Sequence, residues 1–208
     1  MWAHLQREWF QRVNDLARHT GALHAPLRDY ALYGVVLFAG ILLAGWWLAR
    51  RHFDEPGGPQ RMAAALWAPV GTLIALWVNQ PIGKAVHEAR PYAVLPHVLV
   101  LVARSHDFSF PSDHAVMAGS VAAGAWLVDR RLGLVATLAA LVMAFCRVYV
   151  GAHFPLDVVA GLAVGALVTG VGFLVLRAVL VRLSVALTRT PLRPLLAPRR
   201  PGAQAPAR

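Results

Sequence analysis

The sequence holds one cysteine, Cys146, in 208 residues, which excludes an intramolecular disulfide and any cysteine-built metal cluster. Charge is equally scarce: Asp, Glu, Lys and Arg make up 14% of the chain against 58% hydrophobic residues, a balance too apolar for an ordinary soluble domain. Acidic residues are few and scattered, so no magnesium site is expected. The 20 basic residues outnumber the 10 acidic ones, yet they fall in short clusters between apolar runs, which fits membrane topology rather than nucleic-acid binding. No apolar core precedes position 30, and Glu8 and Asp15 sit among the early arginines, so no cleaved signal peptide is expected. No internal repeat is evident. What the chain has in quantity is long uncharged runs, and these predict an all-α, polytopic membrane helix bundle.

Trp2, Leu5, Trp9, Val13 and Leu16 recur at helical spacing, with Gln6, Arg7, Glu8, Gln11, Arg12 and Asn14 on the other side. This predicts an amphipathic helix in the membrane interface, within an N-terminal region over residues 1–28. A membrane domain over 29–180 follows, with about five spans: Tyr30 to Ala49, Met62 to Gly83, Ala115 to Val128, Leu132 to Cys146 and Val158 to Leu176. A Pro- and Gly-rich polar turn, Arg50 to Pro59, separates the first two. Gly161 and Gly165 form a GxxxG step, taken as packing within the bundle. Pro91 to Ala103 is apolar but short, and Pro96 and His97 interrupt it, which suits an interfacial or re-entrant segment. Residues 181–208 form a basic, proline-rich tail, with disorder expected over its last fifteen or so residues.

Five spans place alternate connections on opposite sides. Arg50, Arg51, Arg61, Arg130, Arg131 and the basic tail share one side, which the positive-inside rule assigns to the cytoplasm. Lys84, Arg90, Ser112, Asp113, His114, Arg147, His153 and Asp157 share the other, provided Pro91 to Ala103 does not cross. Ionisable groups bordering hydrocarbon are costly and are functional candidates by default.

His153 and Asp157 are four apart, so a helix would place them on one face within hydrogen-bonding reach. The carboxylate would then fix one imidazole tautomer and leave the other nitrogen free to attack. His114 opens another helix after Ser112 and Asp113, where free backbone N–H groups favour an anion and the imidazole can serve as general acid. Lys84, Arg90 and Arg147 are cations suited to phosphate oxygens. Each element alone has a bland explanation: a structural hydrogen bond, a snorkelling lysine, a topology arginine.

Gathered in order, Lys84 with Arg90-Pro91, then Pro111-Ser112-Asp113-His114, then Arg147 with His153 and Asp157 resemble the three-part signature of the type 2 phosphatidic acid phosphatase family. The resemblance implies His153 as a nucleophile forming a phosphohistidine, Asp157 as its orienting partner and His114 as general acid. Lys84, Arg90, Ser112, Asp113 and Arg147 would bind the phosphate, with neither metal nor other cofactor. Three positions depart from the family pattern. Five residues rather than six separate Lys84 from Arg90, an offset of about 100° on a continuous helix, which Pro91 would absorb by drawing Arg90 out of helical geometry. Cys146 stands where the third motif usually has serine. Asp113 stands where the second usually has glycine, a variant resembling bacterial undecaprenyl diphosphate phosphatases. The expected partners are the membrane and a lipid phosphate, with polyprenyl diphosphate ahead of phosphatidic acid, phosphatidylglycerophosphate or another prenyl phosphate. From another class, a non-catalytic protein that binds or moves lipid phosphates would keep the cations without needing His114, His153 and Asp157. Oligomeric state is not legible.

Overall fold

The computed structural model describes residues 2–198 and is helical, with no strand among the described residues. Helix α1 is Trp2–His19, α2 His24–Tyr33, α3 Val35–Arg51, α4 Gly58–Val86, α5 Pro91–Val94, α6 Asp113–Val128, α7 Arg130–Tyr149, α8 Pro155–Leu187 and α9 Arg193–Leu196.

Helix α6 is the axis of the bundle, packed against α8, α7, α4 and α3. Its small residues allow this: Gly119 faces the Leu162 backbone of α8, and Gly165 of α8 faces the Val116 carbonyl so closely that neither position has room for a methyl group. The GxxxG step therefore packs inside the chain, as expected. Of the five expected spans, α4, α7 and α8 are long and apolar enough to cross a membrane, and α2 with α3 makes a fourth as a pair bent by 54° at Gly34. The fifth, α6, runs from Asp113 to the end of the bundle that holds Arg130 and Arg131, as expected, and it is short. With 16 residues, α6 reaches only roughly 24 Å at 1.5 Å per residue, and ten of those residues are buried by its neighbours. A helix enclosed by four others need not match the hydrocarbon thickness itself. Helix α8, by contrast, continues eleven residues past the expected end, to Leu187.

Pro91 to Ala103 does not cross. Helix α4 ends where His87 adopts φ 55°, Arg90 is extended, and Pro91 opens the four-residue α5. The chain then stays at that end of the bundle, where the Leu101 N–H donates to the Val150 carbonyl at 3.0 Å and Leu99 pairs with Asn14 of α1. Helix α1 forms as predicted, and the face it packs on the bundle is not the one that carries Trp9 and Leu16. Phe10, Asn14 and Ala17 are buried, whereas Trp9 and Leu16 are exposed. The Phe10 ring meets Phe154 edge to face at 5.4 Å, which fixes the bundle-facing side of the helix.

At the opposite end Arg50 and Arg51 close α3, Arg61 lies in the first turns of α4, and Arg130 and Arg131 open α7. Part of the expected disordered tail is ordered. Leu196 and Ala197 are buried, and Trp46 Nε1 and Arg50 Nε donate to the Leu195 and Pro194 carbonyls at 2.9 and 2.7 Å. Apolar side chains that find a cluster with Ala49, Phe53 and Met62 hold this segment in place. Residues 199–208 of that tail lie outside the described residues.

Candidate active site

Four elements converge at the end where α4 and α7 finish. Arg147 projects from the last turn of α7. Three residues of turn, Val150 to Ala152, follow the helix, and Gly151, at φ +79°, makes the reversal that a side chain would strain. His153 comes next, then Phe154 as N-cap of α8 and Pro155 in its first turn. His153 thus precedes the helix, and the expected pairing of His153 and Asp157 on one helical face is corrected. Asp157 Oδ2 instead accepts the Phe154 N–H at 2.8 Å and the Ser109 hydroxyl at 2.5 Å, and stands 3.5 Å from His153 Nδ1. The closer partner of Nδ1 is the Ser109 carbonyl, at 2.8 Å.

This bond decides the tautomer. A carbonyl only accepts, so Nδ1 carries the proton and Nε2 presents its lone pair. Facing Nε2 are two donors, Arg90 Nη1 at 3.2 Å and Arg147 Nη2 at 3.3 Å. Burial, then the charges of Arg147 and Arg90, hold the His153 imidazole well below its ordinary pKa. It is therefore neutral at pH 7 with an unprotonated nitrogen between two cations.

Arg90 reaches this position despite the short Lys84 to Arg90 spacing, because the chain leaves helical geometry at His87 before it arrives. Asp107 fixes the guanidinium, accepting from Nε and Nη2 at 3.0 and 2.8 Å, while the Ala152 carbonyl accepts from Nη1 at 3.0 Å. Burial alone would raise the Asp107 carboxyl, but the Ser105 hydrogen bond and the Arg90 charge outweigh it and hold it low.

His153, Arg90, Arg147, His114 and Asp113 line one recess of about 270 Å³. Ser112 lies beneath it. Its N–H donates to the Asp157 carbonyl at 3.1 Å, and its buried hydroxyl has no partner and makes no cap bond. Asp113 instead accepts from Asn79 and Gln80 of α4 at 2.7 and 3.3 Å. Lys84 is not in this recess. It lines an adjoining one of about 210 Å³, and the two share Asp107, Phe108, Pro111 and Asp113 as a wall. Among the described residues no three His, Cys, Asp or Glu side chains gather as a metal site.

Three residues escaped the sequence reading. Ser109 and Asp107 sit in a loop between an apolar segment and a motif, where only an acid and a hydroxyl close to Pro111 gave a signal. Glu88, between Lys84 and Arg90, accepts the Ser109 N–H on its carbonyl at 2.8 Å, and burial and then the Asp157 charge raise its carboxyl.

The profile of the PAP2 superfamily matches residues 64–180, which takes in every one of these site residues. The chain belongs to the PAP2 superfamily. Over 170 residues, 82% of each chain, it is 30% identical to undecaprenyl-diphosphatase BcrC of Bacillus subtilis. Over 123 residues, 59% of this chain and 67% of the relative, it is 34% identical to decaprenylphosphoryl-5-phosphoribose phosphatase of Mycobacterium tuberculosis. Among solved structures, the transmembrane PAP2-type phosphatidylglycerolphosphate phosphatase from Bacillus subtilis shares the fold, with a TM-score of 0.56 at 20% identity over 80% of this chain and 84% of that one. This PAP2 chain is a membrane-type phosphatase, a hydrolase of phosphate esters and anhydrides.

Proposed function

We propose that the protein hydrolyses a polyprenyl diphosphate of the undecaprenyl type to its monophosphate, through a phosphohistidine on His153, at the extracytoplasmic face of the membrane. The observation that carries the mechanism is His153 Nε2, unprotonated and held between Arg90 and Arg147 while Nδ1 is pinned to Ser109. Nε2 attacks the terminal phosphorus, the new P–N bond forms, and the bridging P–O bond breaks toward the lipid monophosphate. His114, across the recess, protonates that leaving oxygen; burial and then the Arg147 charge hold its imidazole down at about 4, so it takes up its proton as the negatively charged diphosphate enters. A water then attacks the phosphohistidine, giving its proton to His114, and inorganic phosphate leaves as the P–N bond breaks. The two guanidiniums replace their contact with Nε2 by contacts with phosphoryl oxygens, where charge accumulates in the transition state. Nδ1–H stays on the Ser109 carbonyl throughout, with the Asp157 carboxylate behind it to offset the positive charge of the phosphorylated ring.

The diphosphate assignment draws on three observations. Lys84 in the adjoining recess places a further cation one wall away from His153, suited to the second phosphate. The relative matched over 82% of both chains is named for undecaprenyl diphosphate, and Asp113 is the variant that resembles such enzymes.

The test is phosphate release by purified protein from a panel of lipid phosphates, with and without chelator and orthovanadate. Polyprenyl diphosphate should outpace polyprenyl monophosphate and phosphatidic acid, turnover should survive chelator, and orthovanadate should inhibit. His153→Ala should lose at least about a thousandfold in kcat. Full activity in that variant would sink the nucleophile assignment, and a preference for phosphatidic acid would sink the diphosphate one.

A further inference from the structure

Three side chains of α1 bond to the segment that follows α4. Gln6 Nε2 donates to Glu88 Oε1 at 2.8 Å, the Arg18 guanidinium donates to the His97 carbonyl, and Asn14 takes both backbone groups of Leu99. Its Nδ2 donates to the Leu99 carbonyl at 2.9 Å, and its Oδ1 accepts the Leu99 N–H at 3.0 Å. Asn14 is only 3% exposed, and a buried amide that satisfies one residue's donor and acceptor together fixes that backbone in two directions.

Leu99 has no regular secondary structure of its own to hold it. Gly151 lies against its carbonyl so closely that a Cβ has no room, and Leu101 donates to Val150 beside it. Two residues beyond Gly151 is His153, and between them the Ala152 carbonyl receives Arg90 Nη1. A displacement of Leu99 therefore meets the His153 turn on one side and, through Val98 to Pro91, pulls on Arg90 on the other.

We propose that Asn14 is a positioning residue of this phosphatase, which clamps Leu99 against Gly151 and thereby sets the separation of Arg90 from His153 Nε2. The inference rests on the proposed reaction at His153. It makes α1, which lies outside the stretch matched to the family, part of the scaffold of the site. Asn14 does not line the recess that holds His153. Its loss acts on the alignment of nucleophile and guanidinium, a property felt more in the transition state than in the bound substrate.

The experiment uses the full chain in detergent with polyprenyl diphosphate and compares wild type, Asn14→Ala, Asn14→Asp and His153→Ala. Asn14→Ala should lower kcat by about 10- to 100-fold with KM within about threefold, and orthovanadate should inhibit it correspondingly less well. Asn14→Asp adds a readout that simple loosening would not move. Its carboxylate has no proton for the Leu99 carbonyl, whereas the protonated acid restores both bonds, so its kcat relative to wild type should climb as pH falls from 8 to 5. Wild-type kcat in both variants, or a loss confined to the yield and melting temperature with kcat per folded molecule unchanged, would overturn the proposal. A flat Asn14→Asp ratio across that pH range would do the same, and this holds even where Asn14→Ala does not fold. Retained turnover in His153→Ala identifies a different failure, that of the reaction on which the inference rests.

Discussion

At the scale of single residues, the site depends on carbonyls and hydroxyls that no motif names. Ser109 is the clearest case: its carbonyl sets the His153 tautomer and its hydroxyl occupies Asp157 Oδ2. Ser109→Ala keeps the carbonyl and removes the hydroxyl, leaving a buried carboxylate short of one donor, a loss of about 1.5–3 kcal/mol for a hydrogen bond to a charged group. We expect kcat to fall roughly tenfold or more with KM little changed, and an unchanged kcat would assign that hydroxyl to packing alone. The state of His153 itself makes a second prediction, in stability. Its folded pKa lies well below the 6.5 of the free side chain. Between those two values the unfolded chain binds a proton that the folded chain refuses. Stability therefore falls as pH drops below about 6.5, by up to about 1.4 kcal/mol per pH unit while the window lasts. Melting temperatures of the wild type and His153→Gln across pH 7.5 to 4.5 should show a shallower acid decline in the variant, and parallel curves would contradict the neutral, buried imidazole.

At the scale of elements, what the sequence made legible was what lipid or a helix terminus enforces locally. Uncharged runs bounded by arginine announced α3, α4, α7 and α8, because hydrocarbon tolerates nothing else over that length. The three motifs announced His153, His114, Arg147 and Arg90, since their residue types are costly at a membrane border. The length of α8 was less legible, because the helix continues past Arg177 and Arg182 to Leu187 along a largely exposed stretch that the end of the apolar run did not announce. The contacts of Ser109, Asp107 and Asn14 were not legible at all, because topology brings together residues up to 85 positions apart, as with Asn14 and Leu99. The tightest joint between elements is that of α6 with α8. A side chain at Gly165 would meet the Val116 carbonyl and the Ser120 amide, both backbone atoms that cannot turn aside. Gly165→Leu should cost about 1–3 kcal/mol or more of stability. Because Gly161 packs on Ser112 and Ala115, one turn nearer the site, the same shift should also displace His114. Melting temperature and kcat should fall together, and a Gly165→Leu protein with wild-type melting would mean that the two helices part without cost.

At the scale of the whole molecule, the question is which way round the bundle sits. Every element of the site, together with α1, lies at one end, and Arg50, Arg51, Arg61, Arg130 and Arg131 lie at the other with α9 docked beside them. The charge bias is narrower than those clusters alone indicate, because α1 and α2 bring Arg7, Arg12, Arg18 and Arg28 to the site end. Two of those four sit beside acids, Arg18 with Asp15 and Arg28 with Asp29, in exposed pairs. These pairings do not remove the two arginines from the count, since the rule counts lysines and arginines and neighbouring acids contribute little. The proposed orientation rests on the shortest connections: the turn from α3 to α4 and the junction of α6 with α7 each carry two adjacent arginines, and the connection from α7 to α8 carries none beyond the buried Arg147, whereas the longer connection from α4 to α6 carries Arg90 and Arg104 on the site side. Cysteine labelling decides it cleanly, because Cys146 is the sole native thiol and is buried. In a Cys146→Ser background, a membrane-impermeant maleimide applied to intact cells should modify His106→Cys, in the exposed loop before the site, and should modify Glu55→Cys, in the turn after α3, only once the membrane is opened. The reverse pattern would place His153 in the cytoplasm and require the lipid diphosphate to be met on the inner leaflet.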